Sequence, residues 1–319
     1  MNPRSHLWRA VAAASLLTVS LLPAATAADA PRFTIIIYDT TGNPFWSKVV
    51  AGVNEASQAF HVSVDTQFAN NDPVQQNNAI ETAMASKVDG IGLAINVPNA
   101  YNQNIKRALD AGIPVVAFNI DDPNGAAGNA RLSFIGQSFR SAGYAIGKRM
   151  VEVCHFRSGS RVVCPVEHPE ATYAVERYAG VKRALDEAGV ASEVLDTGAI
   201  GLEDTVNKLN QYLLGKPDTA AVIGLGQLAT EAAPQAAKEA NLNLPTGGFD
   251  LSKTILQNIL DGKTVATVDQ QPFYQGFLAV TELFYLHKYG LIPVDVNTGS
   301  ALIDKQNAGV ALQFADTTR

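Results

Sequence analysis

The fold is decided by residues 33–60, which read FTIIIYDTTGNPFWSKVVAGVNEASQAF. The run from Phe33 to Tyr38 is rich in β-branched and aromatic residues, which is typical of a strand buried on both faces. Apolar side chains such as Trp46, Val49 and Val53 then recur at helical spacing through the rest of the stretch. The stretch therefore predicts a buried parallel strand followed by an amphipathic helix, the repeating unit of α/β folds.

The same unit recurs along the chain in two series. The first has predicted strands over 33–38, 62–68, 88–95, 114–118 and 132–136 and helices over 44–60, 73–86 and 98–111. The second has helices over 138–154, 172–189, 202–214, 227–240 and 252–261 and strands over 161–166, 191–197, 219–224 and 245–249. Two such series predict an α/β protein of two Rossmann-like lobes with parallel sheets, joined by a multi-strand hinge. We expect an N-terminal lobe of residues 28–136 and 271–300 and a C-terminal lobe of residues 137–270 and 301–319.

Residues 1–27 have the pattern of an export signal. Arg4 and Arg9 precede an apolar run from Val11 to Leu22, and a small-residue cleavage site ends at Ala27. The apolar run is too short to span a bilayer comfortably, and a buried N-terminal helix is the alternative. We expect cleavage near Ala27 and a chain free in the periplasm, without insertion into the membrane.

The charge and the motifs of the chain exclude several function classes. The formal charge is −6 and becomes −8 without the arginines of the signal, which argues against nucleic acid and anionic lipid as partners. No glycine-rich dinucleotide fingerprint, phosphate-binding loop or nucleophile elbow is present. Neither a cofactor nor an enzymatic activity is therefore predicted.

The chain has two cysteines, Cys154 and Cys164. In an oxidising compartment we expect such a pair to form a disulfide. A zinc site is the alternative, but two cysteines without a clear third and fourth ligand are too few for a structural site.

The segments that follow the predicted strands are rich in amide, carboxylate, guanidinium and aromatic side chains. In open α/β sheets, ligands bind beyond the carboxyl ends of the strands, so these segments would face each other across a cleft. Planar polar groups bind adjacent hydroxyls in a fork, and aromatic rings pack on the apolar faces of a sugar. The segments are residues 39–46, 96, 119–122, 167–177, 226–227, 249–250 and 269–271. They predict an interlobe site for a small polyhydroxy ligand.

At these positions the chain resembles the periplasmic sugar-binding proteins of the ribose-binding type, from about Phe33 to Val310. These proteins have the type I periplasmic binding fold, which LacI-like repressors share, and supply substrates to ABC transporters. The matching motifs are Asn43-Pro44-Phe45-Trp46, Arg177-Tyr178-Ala179-Gly180 and Gly248-Phe249-Asp250. The resemblance, with the positions where this chain departs from the family, gives as expected ligand-binding residues Asn43, Phe45, Trp46, Asn96, Asn119, Asp121, Tyr173, Arg177, Gln227, Asp250 and Gln270. Tyr173 stands where ribose binders have a small residue, which indicates a reshaped site.

Some of these assignments leave alternatives open. Gln271 could take the place of Gln270, and Arg177 with Asp250 could be a salt bridge that only braces the lobe. The family commonly has Asp-Arg where Asn119-Ile120 stand, and Asn-Asp where Gly226-Gln227 stand. Asp121 and Gln227 would have to compensate, so the resemblance does not imply an unmodified ribose site.

The resemblance implies a monomeric substrate-binding protein that closes on a monosaccharide or sugar alcohol and passes it to an ABC permease in the inner membrane. The alternative is a periplasmic sensor that presents its ligand to a chemoreceptor or histidine kinase. A LacI-like regulator would need an N-terminal helix-turn-helix, and the predicted export signal occupies that place.

Overall fold

The computed structural model describes residues 30–41, 44–198, 201–299 and 301–319, and within them two six-stranded sheets. The predicted export signal and Asn43 lie outside the described residues. The strands are β1 (Arg32–Ile37), β2 (Ser63–Phe68), β3 (Gly90–Leu93), β4 (Val115–Asn119), β5 (Phe134–Gly136), β6 (Arg161–Val166), β7 (Ala191–Asp196), β8 (Thr219–Ile223), β9 (Thr246–Phe249), β10 (Thr264–Asp269), β11 (Val296–Asn297) and β12 (Ala301–Asp304). The helices are α1 (Pro44–Phe60), α2 (Pro73–Ala85), α3 (Asn102–Asp110), α4 (Phe139–Cys154), α5 (Thr172–Glu187), α6 (Leu202–Gly215), α7 (Gln227–Glu239), α8 (Lys253–Leu260), α9 (Pro272–Tyr289) and α10 (Ala308–Gln313), with a short 3₁₀ turn at Gly125–Ala127.

The two sheets have the same strand order. The first runs β11-β5-β4-β3-β1-β2 and the second β12-β10-β9-β8-β6-β7, so that β4 and β9 occupy equivalent positions. All strand pairs are parallel except β10 with β12, which is antiparallel. The predicted fold of two α/β lobes with largely parallel sheets is thus confirmed.

Apolar clusters cover both faces of each sheet, as parallel sheets require. In the first sheet, Ile35 and Ile37 face one cluster and Ile36 faces another. In the second sheet, Val162 and Val163 face opposite clusters in the same way. This explains why the strands read as continuous apolar runs rather than as alternating ones.

Glycines bring two helix pairs into backbone contact, one pair in each lobe. A β-carbon on Gly52 of α1 would lie 1.9 Å from the carbonyl oxygen of Phe273 in α9, and one on Gly276 would lie 2.1 Å from that of Val49. In the second lobe, a β-carbon on Gly143 of α4 would lie 2.0 Å from the carbonyl oxygen of Arg177 in α5. These positions admit only glycine, and the contact of α4 with α5 fixes the backbone at Arg177.

Among the residues that the structure describes, three crossings lead from one sheet to the other. The first crossing joins β5 to α4, the second joins β10 to α9, and the third joins β11 to β12. The predicted lobe boundaries fall in these crossings, and we keep that assignment as a proposal. The sequence did not delimit the elements after residue 261, among them the antiparallel strand β12. No helix in the described part of the chain is long and apolar enough to cross a bilayer.

The structure corrects the disulfide prediction, because Cys154 and Cys164 both have free thiols. Cys164 is buried in β6, and Cys154 at the end of α4 packs against the same apolar cluster. Burial raises the pKa of Cys154 to about 11 and that of Cys164 further still, so neither thiolate is populated near neutral pH. Disulfide exchange needs a thiolate, and here both side chains pack as small apolar groups.

Candidate functional site

A cavity of about 440 Å³ lies between the lobes, beyond the C-terminal ends of both sheets. This volume falls within the range of roughly 300–1,000 Å³ that is common for small-molecule sites. The lining residues are Tyr38, Asp39, Phe45, Trp46, Asn119, Ile120, Phe139, Glu167, His168, Tyr173, Arg177, Gly226, Gln227, Leu228, Asp250 and Gln270. Most of the predicted ligand-binding residues are therefore brought together in one place.

Two other concavities, of about 460 and 740 Å³, lie on the N-terminal lobe alone. The smaller one is lined by β2 and α2, and the larger one lies at the N-terminal ends of β3 and β4. Ligands of open α/β sheets bind at the opposite, C-terminal ends of the strands. We therefore take the interlobe cavity as the candidate site.

Aromatic rings form opposite walls of the cavity. Trp46, on the first turn of α1, is buried and donates from its indole Nε1 to Asp39 Oδ2 at 2.9 Å. Its ring meets those of Phe45 and Phe118 edge to face, with centroids 5.1 and 6.2 Å apart. Tyr173, at the start of α5, lines the cavity from the other lobe. Packing and the bond to Asp39 hold the orientation of the indole.

Asn119 is the last residue of β4, Asp250 directly follows the equivalent strand β9, and the two face the cavity from different lobes. Both have a left-handed backbone, with φ of 65° and 68°. Asn and Asp tolerate this region better than other non-glycine residues, and such strained positions concentrate at functional sites. The strand ends thus present one amide and one carboxylate to the same space.

Arg177 is a largely buried residue of the cavity lining and contacts several groups at once. Its Nη1 donates to the carbonyl oxygen of Leu225 at 2.8 Å and lies 3.4 Å from Asp250 Oδ2. Its Nε donates to Gln137 Oε1 at 3.0 Å, and its guanidinium stacks 4.3 Å from the ring centre of Phe249. Arg177 and Asp250 therefore form the salt bridge that the sequence analysis gave as an alternative to ligand binding. Both side chains nevertheless remain in the cavity lining.

The structure places the two candidate glutamines of the second crossing differently. Gln270 lines the cavity, and its Nε2 donates to Asp250 Oδ1 at 2.6 Å. Gln271 is turned to the third crossing, where its Nε2 donates to the carbonyl oxygen of Thr298 at 2.6 Å. The geometry favours Gln270 over Gln271 for contact with a ligand.

Two predicted residues are not brought to this cavity. Asn96 accepts a hydrogen bond from the Tyr101 hydroxyl at 2.8 Å and is absent from the cavity lining. Asp121 forms a buried ion pair with Arg131 at 2.7 Å and lines a neighbouring cavity of about 350 Å³. Because its charge is already paired, Asp121 does not compensate for the isoleucine at position 120.

Gln227 lines the cavity at the first position of α7, as predicted, with its Nε2 3.2 Å from Glu231 Oε1. Phe139, at the start of α4, also lines the cavity, and the sequence analysis missed it. Applying the strand-end rule to the strand predicted over 132–136 would have found it. His168 and Glu167 lie in a segment that the rule did include.

Glu167 is a buried carboxyl at the edge of the cavity. Its Oε1 accepts a hydrogen bond from the backbone N–H of Ala229 at 2.9 Å. A β-carbon on Gly226 would lie 2.2 Å from Glu167 Oε2, so a larger residue there would displace this carboxyl. Burial raises the pKa of Glu167, and the bond from Ala229 opposes the shift without cancelling it.

We expect Glu167→Gln to stabilise the ligand-free protein increasingly as the pH rises. A carboxyl with a raised pKa in the folded state stabilises the fold below its unfolded pKa, and this contribution is lost as the pH rises through its folded pKa. The glutamine keeps an acceptor for Ala229 but cannot ionise. Urea unfolding between about pH 4.5 and 8 measures the difference. Glu170→Gln, at an exposed position, is the control. A difference from wild type that does not change with pH would contradict the raised pKa.

Two α/β lobes with polar and aromatic side chains converging on the cavity between them define a two-lobed binding protein for a small molecule. The chain belongs to the family of the periplasmic binding protein domain, whose model matches residues 34–289. This confirms the resemblance seen in the sequence, and with it a substrate-binding protein of a transporter rather than an enzyme. The family places the chain outside the cytoplasm.

Similar proteins cover most of the chain. The xylose/arabinose-binding protein of Sulfolobus acidocaldarius is 29% identical over 86% of this chain and 71% of its own length. The D-ribose/D-allose-binding protein of Pseudomonas aeruginosa is 27% identical over 81% of this chain and 82% of its own length. The structure of a carbohydrate transporter from Acidothermus cellulolyticus in complex with myo-inositol matches with a TM-score of 0.79 and 26% identity, over 90% of this chain and 98% of that one.

Proposed function

We propose that the protein captures a monosaccharide or sugar alcohol in the interlobe cavity and delivers it to an ABC permease in the inner membrane. The observation that carries the proposal is the convergence of groups from both lobes on one cavity. The N-terminal lobe contributes Trp46 and Asn119, and the C-terminal lobe contributes Arg177 and Asp250. The relatives named as binding xylose, arabinose, ribose or allose support the same ligand class.

The side chains suit a ring with hydroxyls on its edge. Asp250 and Gln270 are hydrogen-bonded to each other, so their side chains lie side by side. The carboxylate of Asp250 and the amide of Gln270 can therefore hydrogen-bond two adjacent hydroxyls of the ligand. Phe45 and Tyr173, which are partly exposed in the cavity lining, offer aromatic surface to the apolar faces of the ring. Ile120 and Gly226 offer no polar side chain where the ribose-binding family has charged or amide groups. The ligand is therefore expected to differ from ribose in some of its hydroxyl contacts.

Binding acts through closure of the two lobes. A ligand that touches both lobes only in the closed form favours that form by the difference between its affinities for the two states. The permease then recognises the closed surface. Export through the signal of residues 1–27, cleavage near Ala27 and a monomeric state are parts of this proposal.

A thermal-shift screen of the chain from residue 28 onward tests the ligand class. The compounds are xylose, arabinose, ribose, allose and myo-inositol. A ligand that binds only the folded protein stabilises it by about 2.7 kcal/mol at a hundredfold excess over Kd, so the melting temperature should rise by about 5 °C or more. Leucine serves as the non-sugar control, and calorimetry confirms each positive compound. Failure of every compound in this screen and of a wider set of sugars and polyols would refute the proposal.

A further inference from the structure

Gln275 connects the candidate site to two of the three crossings. It lies fully buried in α9, outside the cavity lining. Its Oε1 accepts a hydrogen bond from Asn119 Nδ2 at 3.0 Å. Its Nε2 donates to the carbonyl oxygen of Gln270 at 2.8 Å and to Thr298 Oγ1 at 3.1 Å. One carboxamide thus joins a cavity residue of the N-terminal lobe to the second and third crossings.

Gln137 makes the corresponding connection for the C-terminal lobe. It lies buried in the first crossing, and its Oε1 accepts the hydrogen bond from Arg177 Nε. Its Nε2 donates to the carbonyl oxygen of Gly299 in the third crossing at 3.4 Å. A β-carbon on Gly299 would lie 2.5 Å from Gln137 Cγ, so the side chain rests directly on that glycine.

The two connections meet in the third crossing. Gln275 donates a hydrogen bond to Thr298 and Gln137 donates one to Gly299. Thr298 and Gly299 are neighbours in the chain. Thr298 is itself tied to the second crossing, because its Oγ1 donates to the carbonyl oxygen of Gln270 at 2.8 Å. Site residues of both lobes are therefore joined through two buried amides to the same short segment of backbone.

We propose that Gln137 and Gln275 are positioning residues that couple occupancy of the cavity to the angle between the lobes. The inference rests on the proposed function, since it assumes a ligand that closes the lobes. A change in the angle between the lobes must alter the hydrogen bonds that Gln137 and Gln275 make at the crossings. Leaving a buried amide without a hydrogen-bond partner costs free energy. Because coupling free energy is reciprocal, contact of a ligand with Asn119 and Arg177 acts on the crossings to the same extent.

The test uses Gln137→Met, Gln275→Met and the double variant. The probe is whichever of xylose, arabinose, ribose, allose and myo-inositol gives the largest thermal shift with wild type. Calorimetry gives the affinity, and small-angle X-ray scattering with and without saturating probe gives the change of shape. Each single variant is expected to bind about tenfold more weakly or worse. Each is also expected to contract less on saturation, which a purely structural role would not produce.

The double variant tests the shared segment. Because both glutamines end on Thr298 and Gly299, their effects on affinity are expected to be non-additive. Asn104→Leu is the matched control, since it removes another buried amide, bonded to Asn77 Oδ1 at 2.9 Å, from a helix away from the crossings. This control should lose stability and keep both affinity and contraction.

Each remaining outcome counts against one proposal. Wild-type affinity and contraction in both single variants, or strictly additive effects in the double, would overturn the coupling. Failure of wild type itself to bind any of the five compounds and any of the wider set of sugars and polyols would instead remove the proposed function and the coupling with it. If the methionine variants do not fold, Thr298→Val replaces them, since it removes the hydroxyl that bonds both Gln275 and Gln270.

Discussion

Asp250→Asn is expected to weaken sugar binding by roughly ten- to a hundredfold while leaving the fold intact. A hydrogen bond from a ligand hydroxyl to a charged group contributes about 1.5–3 kcal/mol, and about 1.4 kcal/mol corresponds to tenfold in Kd. Asparagine tolerates the left-handed backbone at this position and keeps one acceptor for Gln270. The loss should therefore appear in calorimetric affinity rather than in secondary structure.

The control for this variant is Asp110→Asn. Asp110 forms an exposed ion pair with Lys106 on α3, of the kind that contributes little. Equal affinities of Asp250→Asn and wild type would mean that Asp250 only braces Arg177, as the alternative interpretation of the sequence held.

Arg177→Lys is expected to lower both the free energy of unfolding, by about 3 kcal/mol, and sugar affinity, to below detection. Lysine keeps the charge but cannot donate to Gln137 and Leu225 while stacking on Phe249, because it lacks the planar fork of a guanidinium. Asp250 would then lie beside a poorly placed cation in a buried site. Urea unfolding measures the first effect and calorimetry the second.

Arg140→Lys provides the comparison for this variant. Arg140 pairs with Glu176 at 2.8 Å, but most of its side chain is exposed to solvent. We expect a change of less than about 1 kcal/mol there. An unfolding midpoint of Arg177→Lys equal to that of wild type would show that the fork is not needed for stability.

The α/β fold could be predicted because its signal is local. Buried parallel strands such as β1 and β4 are continuous apolar runs, and the helices that follow them have a clear period. The last part of the chain could not be delimited in this way. Its strand β12 has four residues and pairs antiparallel with β10, and this pairing depends on contacts that no local pattern encodes.

The site was partly predictable for a similar reason. Parallel strands of one sheet end at one edge, so Asn119 and Asp250 could be placed there from the sequence. Asn96 lies outside the cavity lining, although the backbone N–H of Ile95 still bonds the carbonyl oxygen of Ile120, because its side chain is engaged by the Tyr101 hydroxyl. Asp121 does not line the cavity, because it forms an ion pair with Arg131, ten residues further along the chain. Gln137 and Gln275 carry no motif, and only the folded chain shows that they touch site residues.

The glycine contacts between α1 and α9 and between α4 and α5 have a mechanical consequence. Backbone lies directly on backbone at Gly52, Gly276, Gly143 and Gly180, so neither pair of helices has compressible side chains at its closest point. Side-chain repacking therefore cannot absorb movement at these two helix contacts. For a rotation of a few degrees at the three crossings, the displacement of a residue grows with its distance from them. Residues at the far rim of the cleft would therefore move the most.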